Sequence, residues 1–494
     1  MNDGITALYA LGLLRGLVGS GELMRRVLAW PAELSRKLIH TGTAGLVVVA
    51  TLAFEGAEIP ILLSLPFVLV NVVAIPRRWI PSMHAIERRS WGTVTFPLAF
   101  IALAHSCWLR APDRLLALQV AFVVMGLADP AAALVGERWG RRTYDLGGGN
   151  KSWVGTGAFG LVAWLGTWTA LTALSELAGP DRLVLASLVA LTTTVAEMVS
   201  GRGWDNLVIA CVSATVVVTW LEAPQARERL LLAVAFCLIA AVLSLLIGFL
   251  QRSGAAAAFL LGFVLLGLGG SDWLVPALTF FVLASVLSKL GRRRKAAARA
   301  LADKGGRRDA GQVYANGGVG GWLAVASVLW PSPLWHWAFM GAVAAAAADT
   351  WGTEVGTFLR GATRHVLSGR PVPPGLSGGV SLGGSVGSLI GALSIGLTVL
   401  AFEQDGRKVA LAIGLVTAAG LLGAFADSVA GASVQAVYEH PNTGRPTERA
   451  TSEHGRHRLI RGWRWIDHDR VNLWCTLVGA LAALALFWPA VGHG

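Results

Sequence analysis

The chain has 494 residues, 54% of them hydrophobic and 14% charged, and its mean hydropathy is +0.60. These values exclude a soluble globular domain and place the chain among polytopic membrane proteins, with the lipid bilayer as its first partner. Formal net charge is +12, yet no soluble domain or aromatic-interleaved patch accompanies the basic residues, which argues against a nucleic-acid partner.

The start, Met1-Asn-Asp-Gly, is acidic and leads into a weak apolar stretch interrupted by Arg15, so no cleavable signal is expected. Windows of about 20 apolar residues predict roughly 14 to 16 spans. Among them are Leu38 to Phe54, Ala57 to Ile75, Leu115 to Val135, Leu183 to Val199, Leu230 to Phe249 and Trp273 to Leu290. The fold class predicted is all-α: a polytopic integral membrane protein of two fused multi-span helical domains.

Basic residues gather in particular loops: Arg77, Arg78, Arg88 and Arg89; then Arg138, Arg141, Arg142 and Lys151; then Arg292 to Lys295 with Lys304, Arg307 and Arg308; then Arg445 to Arg470. Loops between them, such as Glu55 to Pro60 and Pro331 to Trp335, carry no Lys or Arg. The positive-inside rule puts the basic loops in the cytoplasm. High Ala, Gly and Arg content with short loops fits a bacterial inner membrane. Cys107, Cys211, Cys237 and Cys475 lie scattered in apolar runs without ligand spacing and read as apolar bulk.

Two apolar runs each carry an aspartate with a glycine seven positions on, Asp129 with Gly136 and Asp349 with Gly356, and a basic, glycine-rich stretch follows each. An ionisable group in hydrocarbon costs about 3 kcal/mol and persists where it faces a wet cavity, a cation or a substrate. The sequence therefore predicts two related membrane-embedded sites in tandem, opening on the side of the basic loops. The polar break at Glu222 to Arg229 separates them, giving a domain over residues 1–222, a linker and connecting span over 223–253, and a domain over 254–494. Tandem repeats also occur in transporters, so the polar motifs must choose between transport and chemistry.

In the first half, Arg36-Lys37-x-x-His40 opens a strong span and Asp129 sits inside another. Gly147-Gly148-Gly149-Asn150-Lys151-Ser152 ends a basic loop, and Glu197 precedes Asp205-Asn206. Together they hold what phosphoryl transfer uses: carboxylates for Mg²⁺, cations for phosphate oxygens, and glycines that let backbone N–H groups approach phosphate. Each also has a plainer reading. Asp129 before Pro130 suits a cap or kink; Arg36 and Lys37 suit interfacial anchors; Lys151-Ser152 ends like a P-loop, but Asn150 stands where that motif needs glycine.

Taken in order, Arg36-Lys37-x-x-His40, Asp129-x6-Gly136-x3-Gly140, Lys151-Ser152-x-x-Gly155, Glu197 and Asp205-Asn206 resemble the phytol kinase and dolichol kinase family across about residues 33–220. The resemblance implies transfer of a nucleotide's terminal phosphate, often from CTP, to a membrane-dissolved isoprenoid alcohol. This chain departs from it at Val154, where dolichol kinases usually have Glu, and at Ala133, where phytol kinases commonly have an acid.

In the second half, Lys304-Gly-Gly-Arg307-Arg308-Asp309 leads to Gln312 and Asn316. Then come Asp349 and Glu354, the run Pro373-Pro-Gly-Leu-Ser377-Gly-Gly, Asp427-Ser-Val-Ala-Gly431, and Asp467-His468-Asp469-Arg470-Val471-Asn472. Asp349 and Glu354 lie about 140° apart on a helical wheel, so one ion joins them only across a break or between helices. Close helix packing explains many of the glycines from Gly378 to Gly391; it does not explain three carboxylates in apolar surroundings. Across about residues 252–490 this set looks like the DUF92-type membrane family that contains phytyl-phosphate kinase, departing from it at the additional glycine (305 or 306), at Leu376 and at His468.

The two resemblances imply consecutive steps: an isoprenoid alcohol, phytol or geranylgeraniol, to its monophosphate, and the prenyl phosphate to the diphosphate. Mg²⁺ and CTP, or ATP or UTP, are the implied cofactor and donor. The expected site residues are Asp129, Lys151, Asp349 and Asp427 for catalysis, and Asp129, Glu197, Asp349, Glu354 and Asp427 for metal. Arg36, Lys37, Gly147, Gly148, Gly149, Ser152, Asp205, Asn206, Lys304, Arg307, Arg308, Asp309, Asn316, Ser377 and Asn472 are expected at nucleotide and phosphate. Two rivals stand beside this: a transporter or flippase of lipid phosphates, and a CTP-dependent lipid nucleotidyltransferase.

Overall fold

The computed structural model describes residues 3–77, 90–291, 294–295, 306–441, 444, 446–452 and 455–491. Of the basic residues expected to mark loops, Arg78, Arg88, Arg89, Arg292, Arg293, Lys304 and Arg445 lie outside the described residues. The chain separates into two compact units, Met1–Leu232 with Val328–Trp330, and Ala233–Ser327 with Pro331–Gly494.

The first unit contains α1 (Asp3–Val27), α2 (Ala32–Ala53), α3 (Glu58–Arg77), α4 (Gly92–Ala104, extended by a π-turn at His105–Leu109), α5 (Leu115–Trp139), α6 (Trp153–Leu174), α7 (Gly179–Val199) and α8 (Asp205–Glu222). Between α5 and α6 a short antiparallel hairpin, β1 (Thr143–Asp145) and β2 (Asn150–Ser152), closes over a glycine turn. Helix α9 (Pro224–Ile247) leads into the second unit. That unit continues with α10 (Arg252–Phe263, then a π-turn to Gly269), α11 (Ser271–Lys289), α12 (Ala310–Leu329), α13 (Leu334–Leu359), α14 (Leu382–Gly396), α15 (Gly406–Ser433) and α16 (His468–Val491). Two-residue strands β3 (Arg364–His365) and β4 (Gly379–Val380) pair before α14, and β5 (Val437–Glu439) is flanked by β6 (Pro446–Thr447) and β7 (Arg458–Arg461).

Among the described residues thirteen helices are long and apolar enough to cross a membrane. Helices α2, α12 and α13, of 22, 20 and 26 residues, match them in length and fall outside that set. The described residues form sixteen helices, of which thirteen qualify as spans, one below the 14 to 16 expected from the sequence. The three exceptions include the helices that carry Lys37, Asn316, Asp349 and Glu354, because functional polar residues dilute the apolar pattern that marks a span.

Small residues let the helices approach, since lipid supplies no hydrophobic drive between them. A Cβ on Gly155 would lie 2.7 Å from the Ala132 carbonyl oxygen, which fixes α6 against α5. In the second unit a Cβ on Gly391 would lie 2.5 Å from the Ala347 carbonyl oxygen, and one on Gly341 would lie 2.3 Å from that of Gly479. These contacts bring α14 and α16 onto α13, the helix of Asp349. Much of the glycine run from 378 to 391 thus packs helices, as its alternative reading anticipated.

Candidate active site

In the first unit the site begins at a defect in α5. Pro130 has no N–H, so the Gly126 carbonyl one turn earlier loses its helical donor. Within a membrane such a carbonyl needs another partner. Thr41 Oγ1 donates to it at 2.8 Å, and His40 Nε2 lies 3.1 Å from the Met125 carbonyl oxygen. The side chains that repair α5 come from α2, and the same contact brings Lys37 Nζ to 2.6 Å from Asp129 Oδ2. Both side chains are largely buried, 8% and 16% exposed. Arg36 stays on its own helix, pairing with Glu33 at 2.7 Å.

A second ion pair joins the hairpin to α7. Lys151 Nζ lies 2.7 Å from Glu197 Oε1 and donates also to the Glu197 carbonyl, while Glu197 Oε2 is buried without a partner. The glycine turn is held from within: Gly147 and Gly149 N–H donate to Asp145 Oδ1 at 2.7 and 3.3 Å, with φ of +96° and +94°. A Cβ on Gly148 would sit 2.4 Å from the Ser200 carbonyl oxygen, so only glycine lets this turn reach the end of α7. Asp205 starts α8 within electrostatic range of Asp129, Lys151 and Lys37. Asn206 Nδ2 donates to the Gly92 carbonyl at 3.1 Å. Ser152 caps α6, accepting from Gly155 N at 3.1 Å, which is a structural role. Tyr144 hydrogen-bonds Thr156, and burial pushes its phenol up to about 12.

Part of this cluster closes one end of a cavity of about 1630 Å³, while Lys151 and Glu197 lie outside its lining. Arg36, Lys37, Asp129, Gly147 to Asn150 and Asp205 line it, and so do Leu46, Val47, Phe54, Leu63, Phe67 and Phe100. Helix α2 contributes lining from Glu33 to Phe54, about 30 Å along its axis at 1.5 Å per residue. A cavity with charge at one end and a hydrocarbon wall of that length accepts an amphiphile with a long tail.

The second unit holds a more polar cavity of about 490 Å³. Asp349 on α13 and Asp427 on α15 face each other there within hydrogen-bond reach, with Asp427 Oδ1 and Asn472 Oδ1 buried and unpartnered. His468 lies within electrostatic range of Asp349. Glu354 does not join the two aspartates: Lys295 Nζ takes it at 2.5 Å from a position only 2% exposed. Ser377 donates to Glu448 Oε1. Arg461 ties this loop down, donating to the Gly431 carbonyl at 2.7 Å and that of Ser377 at 3.2 Å. Arg308 and Asn316 line the cavity; burial pulls the Arg308 guanidinium down from its ordinary value and Glu354 acts against this.

Other residues expected here lie elsewhere. Asp309 forms a reciprocal cap at the start of α12, accepting from Gln312 N at 2.9 Å while its own N–H donates to Gln312 Oε1 at 3.2 Å. Arg307 is exposed, packs near Gly248 and does not line the cavity. Asp145, Lys295, Glu448 and Arg461 were missed because each lies in a loop so rich in basic residues that its charge reads as a topology signal.

No group of three or more acidic, His or Cys side chains able to cage a metal occurs among the described residues. Mg²⁺ does not demand such a cage, since it is usually held by one or two carboxylates together with substrate phosphates. The residues fit that mode. In the first site two lysines face three carboxylates, and Glu197 keeps an unpartnered oxygen; in the second, two buried carboxylates meet with an unpartnered oxygen between helices.

A phytol kinase of Synechocystis sp. is 31% identical over 215 residues, covering 43% of this chain and 88% of that protein. The chain belongs to the phytol kinase family. Residues 235–480 match the family described as integral membrane protein DUF92. An uncharacterized membrane protein of Methanocaldococcus jannaschii is 29% identical over 241 residues, covering 48% of this chain and 86% of the relative. Protein PGR of Arabidopsis thaliana is 28% identical over 231 residues, covering 40% and 78%. No solved structure matches the chain.

Proposed function

We propose that this protein is a membrane prenol kinase with two successive activities. The first site phosphorylates phytol or geranylgeraniol, and the second phosphorylates the monophosphate to the diphosphate, with CTP as donor ahead of ATP or UTP. The observation that carries this reading is the amphiphile-shaped cavity that ends on the Lys37–Asp129 pair. The phytol kinase relative supports the first step.

Asp129, paired with Lys37, accepts the proton of the alcohol hydroxyl as its oxygen attacks the donor's terminal phosphorus. The bond from that phosphorus to the bridging oxygen breaks, and the nucleoside diphosphate leaves. Lys37 and Lys151 balance charge on the phosphates, and the Gly147 to Gly149 turn brings backbone to them. Asp205 with Glu197 in the first site, and Asp349 with Asp427 in the second, would hold Mg²⁺. That ion supplies charge neutralisation of the donor phosphates. In the second site Arg308, Asn316 and Ser377 face the substrate phosphate. Residues 1–222 and 254–494 divide the two steps, and 223–253 connects them. The basic loops support a cytoplasmic opening of both sites in a bacterial inner membrane.

Product analysis of the nucleotide tests the class. A kinase releases CDP from CTP, whereas CMP with pyrophosphate means a nucleotidyltransferase, and lipid movement without hydrolysis means a transporter.

A further inference from the structure

The polar cavity of the second unit continues into an apolar crevice of about 140 Å³, and the two share Arg308, Gln312 and Asn316 in their walls. Five helices line the crevice, α13 through Phe339 and Val343. Helix α9 gives Phe236, Cys237, Ala240, Ala241 and Ser244; α10 gives Ala258, Leu261, Gly262 and Leu265; α11 gives Leu274, Ala277, Leu278 and Phe281. The spacing is that of a single helical face in each case. From α12, Gln312, Val313, Asn316 and Gly317 close the polar end. The opposite face of α9, with Leu238, Ile239, Val242, Leu243 and Leu246, is exposed, as a lipid-facing surface would be.

Arg308 stands at the junction. Its guanidinium lies 5.7 and 5.8 Å from the ring centroids of Phe280 and Phe281, and the nearby carboxylate, Glu354, is already taken by Lys295 at 2.5 Å. A cation with no ion-pair partner among the described residues, set between a polar cavity and an apolar crevice, matches a molecule with an anionic head and an apolar chain.

We propose that the crevice holds the first segment of a prenyl monophosphate's chain, with the phosphate between Arg308 and the Asp349–Asp427 pair. This rests on the second-step reading of that site. The crevice is about a tenth the size of the first unit's cavity, so it admits one chain and only its head-proximal part. The rest of the chain leaves the crevice between helices for the bilayer. A lipid with two acyl chains on its phosphate shares the head chemistry and does not fit.

The test uses the full chain in lipid nanodiscs and geranylgeranyl monophosphate carrying a diazirine in its first isoprene unit. Photolysis is expected to label α9, α10 and α11 at crevice positions. Ala241→Phe and Ala277→Phe should each cut this labelling about tenfold, and the corresponding Val substitutions should cut it less. Unlabelled geranylgeranyl monophosphate should compete, and phosphatidic acid should not. Labels outside these helices, labelling unchanged in both Phe variants, or equal competition by phosphatidic acid would each overturn the inference. Diphosphate formation is measured in parallel. Crevice labelling with no diphosphate from any donor sinks the kinase reading of this site and leaves the crevice standing as a lipid-phosphate site. Diphosphate formed with labelling elsewhere does the reverse.

Discussion

Lys37 Nζ and Asp129 Oδ2, 92 residues apart in the chain, lie 2.6 Å from each other between α2 and α5. The pair forms because α2 also supplies, through Thr41, the hydrogen bond that Pro130 takes from α5. Removing one member leaves a buried charge, at a cost of about 3–5 kcal/mol. Lys37→Met should therefore destabilise the chain by that amount, and Lys37→Met/Asp129→Leu should recover most of it. Thermal unfolding in detergent of the two single variants and the double variant measures the coupling.

Thr41→Val removes the donor to the Gly126 carbonyl and should cost about 1–3 kcal/mol, the penalty for an unsatisfied buried acceptor. In a Pro130→Ala background the helix regains its own N–H donor, and the same substitution should cost much less. Equal losses in both backgrounds would show that Thr41 stabilises by some other contact.

Asp205 is the carboxylate of the first site for which no lysine is an ion-pair partner among the described residues. Asp205→Asn should raise the Mg²⁺ concentration that half-saturates alcohol phosphorylation about 10–100-fold, and should leave that of the second step unchanged. Chelation of divalent cations should stop both steps in the wild type.

Glu354 is committed to Lys295. Glu354→Gln therefore strands a buried ammonium, and its main effect should be a loss of stability of about 3 kcal/mol. Asp427→Asn should abolish the second step at near-wild-type stability, because it removes one of two like charges. Comparing melting temperature with turnover in these two variants separates two carboxylates that the sequence offered for the same metal role.

Much of this was legible in the sequence. Apolar runs located the helices, and of the groups read as one site Lys37, Asp129 and Asp205 line a common cavity, with Lys151 and Glu197 beside it within electrostatic range. Their pairing was not legible, since it depends on how α2 seats against the break at Pro130. Asp309 and Ser152 misled for a physical reason: a residue that accepts from backbone N–H groups at a helix start has the same chemistry as one that meets a ligand. The pattern Asp309-x-x-Gln312 was itself a capping signature. Lys295 and Glu448 were hidden by their neighbours' charge, because no composition rule separates a lysine that turns inward from the arginines next to it in sequence.

The central claim is that two kinase sites act in series. The most direct measurement follows label from γ-labelled CTP and ATP into geranylgeraniol with the wild type, Asp129→Asn and Asp349→Asn in Mg²⁺. The account predicts diphosphate from the wild type and monophosphate alone from Asp349→Asn. Asp129→Asn should be slower from the alcohol by about 10³-fold, yet make diphosphate when supplied with monophosphate. Label in neither lipid with any donor, or loss of both steps in both variants despite normal folding, would contradict it.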